Sequence, residues 1–250
     1  GWSLLSVKYE RVLLKLSGEA LSGTTGKLLD DAVLRDVAEE IRACTEAGAR
    51  FAIVIGAGNI WRGARQSGLR IDRVRGDHMG MLATVINSLA MADYLIAAGL
   101  DAKVMSAFKI QQVCETYSQY RAMEYLAAGK PVLLPCGVGY PYFSTDTGMM
   151  LRAAELKSDI VLSAKNVDGV YDKDPALYPD ATKFKTLTYR EALARGLKAI
   201  DTTATAIGMD NSLKTLIFAL KDPKNITRAV MGEEIGTLLT NEKGGTDNEV

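Results

Sequence analysis

Apolar residues recur along this chain in two alternating patterns. Short continuous runs lie at 12–16 (V-L-L-K-L), 51–55, 102–106, 131–135, 159–164, 215–219 and 236–240. They read as buried strands, because strands covered on both faces in a parallel sheet lose the in–out alternation. Between the runs, apolar residues fall at helical spacing. Val33, Leu34, Val37, Ala38 and Ile41 predict a helix capped by Asp30 or Asp31 and ended by Gly48. Met79, Leu82, Val85, Ile86, Leu89 and Leu95 predict a long helix over 77–98, closed by Gly99. Shorter helices are expected at 118–128, 145–155, 189–195 and 202–209. Strand, turn and helix in alternation predict an α/β fold with a mainly parallel sheet. A polar tail after residue 240 is expected to be disordered, and residues 1–6 read as a frayed start rather than a signal peptide.

Three of these strands end in glycine-rich turns: Ser17-Gly18, Gly56-Ala57-Gly58-Asn59, and the stretch 137–146, G-V-G-Y-P-Y-F-S-T-D. Such turns lie where open α/β sheets bind ligands, and they let a phosphate approach backbone N–H groups. Lys15 stands on the first strand. A buried ammonium needs a partner, which places it at the strand's carboxyl end facing that crevice. Taken alone, V-L-L-K-L-S-G reads more readily as an edge strand with a surface lysine. The third turn mixes small residues, aromatics, hydroxyls and a carboxylate, a combination that packing does not require. Residues 62–75 hold Arg62, Arg65, Arg70, Arg73 and Arg75, a density expected for phosphate contacts or for a solvated basic loop.

Charge narrows the classes. With 30 basic and 30 acidic residues the formal net charge is zero, so no broad field for nucleic acid or membrane is present. No continuous apolar run approaches the roughly 20 residues of a membrane span. Cys44, Cys114 and Cys136 are widely spaced and His78 is the only histidine. That argues against a disulfide framework and a zinc site, and for a reducing cytoplasm. His78 is expected to cap or pack. There is no G-x-x-x-x-G-K-[ST], and Trp61 interrupts the dinucleotide pattern that Gly56 and Gly58 begin. Lys15, Gly58, Asn59, Arg62, Asp77, Ser144, Thr145 and Asp146 supply cations, hydroxyls and carboxylates without a nucleophile–base pair. Phosphoryl transfer is the chemistry that needs this set.

The motifs L-L-K-L-S-G-E-A-L (13–21), G-A-G-N-I-W-R-G (56–63), G-D-H-M-G-M-L-A-T (76–84), P-Y-F-S-T-D (141–146), V-D-G-V-Y-D-K-D-P (167–175) and G-T-L (236–238) together resemble the bacterial UMP kinases of the amino acid kinase superfamily. The resemblance runs from about residue 9 to 240. It implies a three-layer α/β/α sandwich on an eight-stranded, mainly parallel sheet. One amino acid kinase domain would span 9–240, with UMP bound by 9–150 and ATP by 151–240. The reaction implied is ATP + UMP to ADP + UDP in pyrimidine biosynthesis, with Mg²⁺ carried by ATP and no side-chain metal motif. It further implies that Lys15, Arg62, Asp146 and Asp201 are catalytic. ATP would meet Lys15, Leu16, Ser17, Gly18, Gly58, Arg62, Lys165, Asn166, Tyr171 and Asp174, with Lys165 or Asn166 beside adenine. UMP would meet Ala57, Asp77, Val138, Gly139, Tyr140, Pro141, Tyr142, Phe143, Ser144 and Thr145, with Asp77 opening its helix. A homohexamer, activation by GTP and inhibition by UTP are implied too, with Lys103, Arg121 and Lys130 as candidates for the GTP site. Ala57 stands where the family reads glycine, and a positive φ there would cost about 1 kcal/mol. An acyl-phosphate-forming kinase acting on carbamate or glutamate, and a nucleotide sensor that keeps the fold, are the competing readings.

Overall fold

The computed structural model describes residues 6–242. Nine strands form one sheet: β1 (Arg11–Leu16), β2 (Arg50–Ile55), β3 (Lys103–Ser106), β4 (Glu115–Thr116), β5 (Val132–Leu133), β6 (Ile160–Lys165), β7 (Thr186–Thr188), β8 (Thr215–Ala219) and β9 (Thr237–Thr240). Their order is β4-β3-β5-β2-β1-β6-β8-β9-β7. Every pairing is parallel except β8 with β9. The seven apolar runs correspond to β1, β2, β3, β5, β6, β8 and β9; β4 and β7, two and three residues long, have no apolar run of their own and bring the described strands to nine, one more than the eight implied. Residues 1–5 and 243–250, which hold most of the frayed start and the expected disordered tail, lie outside the described residues.

The helices are α1 (Asp31–Glu46), α2 (Ala64–Ser67), α3 (Arg73–Ala97), α4 (Gln119–Ala127), α5 (Thr145–Glu155), α6 (Tyr189–Ala194), α7 (Thr202–Asp210) and α8 (Lys224–Met231). Alternate residues of β1 serve opposite cores. Val12, Leu14 and Leu16 pack with α1, α8 and the second half of α3. Leu13 packs with α4, α5, α6 and α7 on the other face. The result is helix–sheet–helix, and Lys15, two residues after Leu13, shares the α5/α7 face. Asp30 rather than Asp31 caps α1, accepting from the Val33 N–H at 3.1 Å.

Three helices depart from the expectation: α3 in where it starts, and α2 and α8 in having no expected counterpart. α3 starts at Arg73, capped by Asp72, which accepts from the Val74 N–H at 3.1 Å; Asp77 therefore sits in its second turn instead of opening it. α3 is also long and apolar enough to cross a bilayer by composition, but half of it is buried inside the fold. α8 was not expected, because Pro223 and the β-branched residues of K-N-I-T-R-A-V-M obscure its start. Its buried Ile226, Ala229 and Val230 nevertheless keep helical spacing.

Candidate active site

β1 is flanked by β2 on one side and β6 on the other, so successive crossovers leave it in opposite directions along the sheet. Such a reversal opens a crevice beyond the strands' carboxyl ends. Two cavities open there. The first, of about 330 Å³, is lined by Ala57, Gly58, Trp61, Arg62, Asp77, Thr84, Cys136, Gly137, Val138, Tyr140, Phe143, Ser144 and Thr145, among others. The second, of about 550 Å³, is lined by Lys165, Val167, Tyr171, Asp174, Pro175, Leu197 and Ala199, among others.

A charged group lies at the same edge. The Lys15 ammonium is 3.7 Å from Asp146, with the two side chains 13% and 19% exposed. Asp146 occupies the first turn of α5, whose positive dipole end favours an anion. Ser144 caps that helix, accepting from the Thr147 N–H at 3.1 Å, and its hydroxyl donates to Asp201. Asp201 in turn caps α7, accepting from the Ala204 N–H at 2.8 Å. Two helix N-termini are thus cross-linked cap to cap.

Lys165 completes the group. In register, Lys15 pairs with Ser163, and Lys165 lies two residues further along β6, on the same face. Its amine donates to the Ala199 carbonyl at 2.5 Å. Loss of water around this amine pulls its pKa below the usual lysine value. The Asp146 carboxylate opposes that fall, Lys15 deepens it and Asp201 opposes it again. The Lys165 amine thus joins the charge group, and the residue also lines the second cavity.

The first two turns touch through backbone. A Cβ on Gly18 would stand 2.4 Å from the Gly56 carbonyl oxygen and 2.5 Å from Asn59 Oδ1, which is why no side chain fits there. Gly56 N–H donates to the Leu16 carbonyl at 2.9 Å and Ser17 N–H to the Ala164 carbonyl at 3.3 Å. Leu16 itself is wholly buried in the core, and its carbonyl is taken by Gly56. Ala57 is absent from the residues with positive φ, and the strain anticipated there does not arise. Arg62 reaches across the turn, donating to the Gly58 carbonyl at 3.1 Å and pairing with Glu19 at 3.3 Å.

Seven of the ten residues expected at UMP line the first cavity: Ala57, Asp77, Val138, Tyr140, Phe143, Ser144 and Thr145. Gly139, Pro141 and Tyr142 do not. Tyr142 instead lies under Arg73, whose guanidinium is 4.8 Å from its ring centre. Asp77 accepts from the Tyr142 N–H and from Arg73 Nε, both at 2.8 Å, and ties this loop to α3. Tyr171 and Asp174 line the second cavity; Asn166 is exposed and does not. The Tyr171 hydroxyl donates to Asp168 at 2.8 Å, and Asp174 accepts from the Ala176 N–H at 2.9 Å. Of the arginine run, Arg65, Arg70 and Arg75 are exposed. His78 packs edge-on against Phe108 at 6.4 Å rather than capping.

Three supporting residues escaped the sequence reading. Glu19 holds Arg62. Asn87, wholly buried on α3, donates to the Gly56 carbonyl at 2.8 Å and exchanges amide hydrogen bonds with Asn59. Thr84 accepts from the Cys136 N–H at 2.9 Å. A signal existed for the last two: polar residues at core-facing positions of an otherwise apolar helix.

Residues 10–221 match the amino acid kinase family. The fold superposes on the UMP kinase from Bacillus anthracis with a TM-score of 0.90 at 35% identity, covering 94% of this chain and 97% of that one. The UMP kinase from Ureaplasma parvum gives 0.88 at 34% identity, covering 93% and 99%. The uridylate kinase from Archaeoglobus fulgidus gives 0.70 at 26% identity, covering 92% and 99%. Sequence match, sheet order and crevice agree: the chain belongs to the amino acid kinase family.

Proposed function

We propose that this protein is a UMP kinase, transferring the γ-phosphoryl group of ATP to UMP. The observation that carries this is the Lys15–Asp146–Lys165–Asp201 group at the sheet edge that both cavities share. Ser144 and Thr145 lead from it into the first cavity, and Lys165 lines the second. The first cavity draws only on residues up to 145 and the second only on residues from 165 onward. This supports an acceptor-binding part at 9–150 and a donor-binding part at 151–240. The structural relatives named UMP kinases support UMP as the acceptor.

Phosphoryl transfer between two nucleotides asks little covalent work of a protein. The UMP phosphate is already anionic at neutral pH, so no general base is required. Lys15, held by Asp146, and Arg62, swinging from Glu19, would neutralise charge that spreads over the transferring group. The α5 N-terminus adds fixed positive potential. Asp201, through Ser144, keeps α5 in place. Among the described residues no three His, Cys, Asp or Glu side chains converge. Mg²⁺ carried by the phosphates of ATP would supply further charge neutralisation when bound.

Three further parts of the reading rest on the surface. Leu82, Ile86, Leu89 and Ile96 expose an apolar stripe along α3, 50%, 53%, 37% and 52% accessible, which supports a homo-oligomer and agrees with a hexamer. Lys103, Arg121 and Lys130 surround the ring of Tyr125 at 5.6, 4.8 and 5.8 Å, an arrangement suited to a GTP phosphate chain, with UTP inhibition acting at the acceptor or donor cavity. The three cysteines are free thiols, in keeping with a reducing cytoplasm. The deciding experiment is ADP release from ATP with UMP, CMP, carbamate or glutamate as acceptor. UMP should be turned over in clear preference; preference for carbamate or glutamate, or nucleotide binding without transfer, overturns the reading.

A further inference from the structure

The turn that forms one wall of the first cavity is held by a residue outside it. Cys136 and Gly137 both have positive φ, 73° and 53°, and Gly139 N–H closes the turn on the Cys136 carbonyl at 2.8 Å. A non-glycine residue in that region is strained and persists only where its surroundings fix it. From one side Thr84 accepts from the Cys136 N–H. From the other comes Arg152 of α5, only 7% exposed. Its guanidinium donates to the Gly137 carbonyl at 3.3 Å, pairs with Glu155 at 2.6 Å and stacks 4.0 Å from the ring centre of Tyr117. The Tyr117 hydroxyl donates to Glu155 at 3.3 Å, so the three side chains close on one another. The helix can come this near because Gly148 has no side chain: a Cβ there would stand 2.9 Å from Gly137 Cα and 3.1 Å from its carbonyl carbon.

We propose that Arg152 is a positioning residue for the acceptor nucleotide, clamping the Cys136–Gly137 turn so that Val138 and Tyr140 present a fixed wall to UMP. The proposal rests on the UMP kinase reading. A planar guanidinium can serve a carboxylate, an aromatic face and a carbonyl at once, whereas an ammonium cannot. None of the hydrogen-bond, ion-pair and ring partners of the Arg152 guanidinium (Glu155, Gly137, Tyr117) lines the second cavity, so its loss should be felt by one substrate and not the other.

The test is Arg152→Lys, with Tyr117→Leu as a second variant that leaves the Arg152–Glu155 pair in place if the first fails to fold. Steady-state KM is measured for each substrate, and amide hydrogen exchange is followed at residues 136–139 and along β1 and β2. The expected result is a rise in KM for UMP of about tenfold with KM for ATP within about twofold. Exchange at Gly139 should quicken while β1 and β2 are unchanged. Equal rises in both KM values, or unaltered exchange at 136–139, overturns the clamp. If wild-type protein turns over no UMP, the UMP kinase reading fails, and the exchange result alone decides whether Arg152 holds the turn.

Discussion

Replacing Lys15 by methionine keeps an unbranched side chain one atom shorter and removes its charge, which largely isolates the electrostatic term. The Lys15–Asp146 separation of 3.7 Å sets the scale. At an effective dielectric constant of about 20, two unit charges that far apart attract by about 4–5 kcal/mol before desolvation is subtracted. A phosphoryl oxygen meeting the same ammonium gains a comparable gross amount, and only the share that grows as charge develops in the transition state accelerates the reaction. Loss of one such donor costs about 2.7–4 kcal/mol, or about 10²–10³ in kcat. Stability should change little, because Asp146 keeps the α5 dipole and Lys165 as compensating charge; a shift in Tm within about 4 °C is expected. The assay is ADP release at saturating ATP and UMP, run beside a thermal melt. Asp146 acts through the lysines, so Lys15→Met with Asp146→Asn should be about as slow as Lys15→Met alone. A folded Lys15→Met protein with near-normal kcat would refute the charge argument outright, and fully additive losses would refute the coupling between the pair.

Asp146→Asn has a second signature, in the pH profile. Burial already pulls the Lys165 pKa down and the Asp146 carboxylate opposes that, so without it the ammonium is lost at lower pH as pH rises, and the alkaline limb of kcat should move to lower pH. An unmoved limb, or one displaced upward, contradicts the assignment. Gly18→Ala drives a methyl into the Gly56 carbonyl oxygen at 2.4 Å; overpacking of this kind costs about 1–3 kcal/mol, and both a lower denaturation midpoint and a loss of turnover should follow. Asp201→Asn should retain the α7 cap, since asparagine caps as well as aspartate, leaving Tm nearly unchanged while kcat falls. Asp201→Ala should cost about 1 kcal/mol in addition, and wild-type kcat in both variants, with Tm lowered only in Asp201→Ala, would leave Asp201 a cap and nothing more.

Much of this architecture is legible in the sequence because burial writes it there. Two-sided apolar runs mark the inner strands, and helical periodicity marks α1 and the later part of α3. The failures occur where that signal is weak. β4 and β7 are short and lie at or next to the sheet margins, and α8 is hidden by its proline start. The displaced start of α3 has another cause: residues 72–77 alternate charge with small and apolar groups, so Asp72 and Asp77 compete as caps on sequence alone. Lys165 carries no local sign of the charge group: only the pairing of Lys15 with Ser163, which the fold sets, puts a residue two further along β6 on the face of Lys15. Tertiary clamps such as Arg152 on the Gly137 carbonyl leave no local trace, because the partners lie 15 residues apart across a turn and a helix.

The site residues also do structural work, and the two roles reinforce each other. Ser144 and Asp201 each satisfy an amide at the start of a helix that would otherwise lack a partner, and each is also bonded to the other. Because the caps are joined, α5 and α7 cannot shift independently, and the dipole ends they present keep a fixed relation to Lys15 and Lys165. A transition state whose charge is spread over several oxygens gains most from donors that need no rearrangement as it forms. Cross-linked caps supply that rigidity at the helix ends beside Lys15 and Lys165, while Arg62, itself exposed and tethered to the half-buried Glu19 and Gly58, is the cation among these residues best placed to follow a substrate.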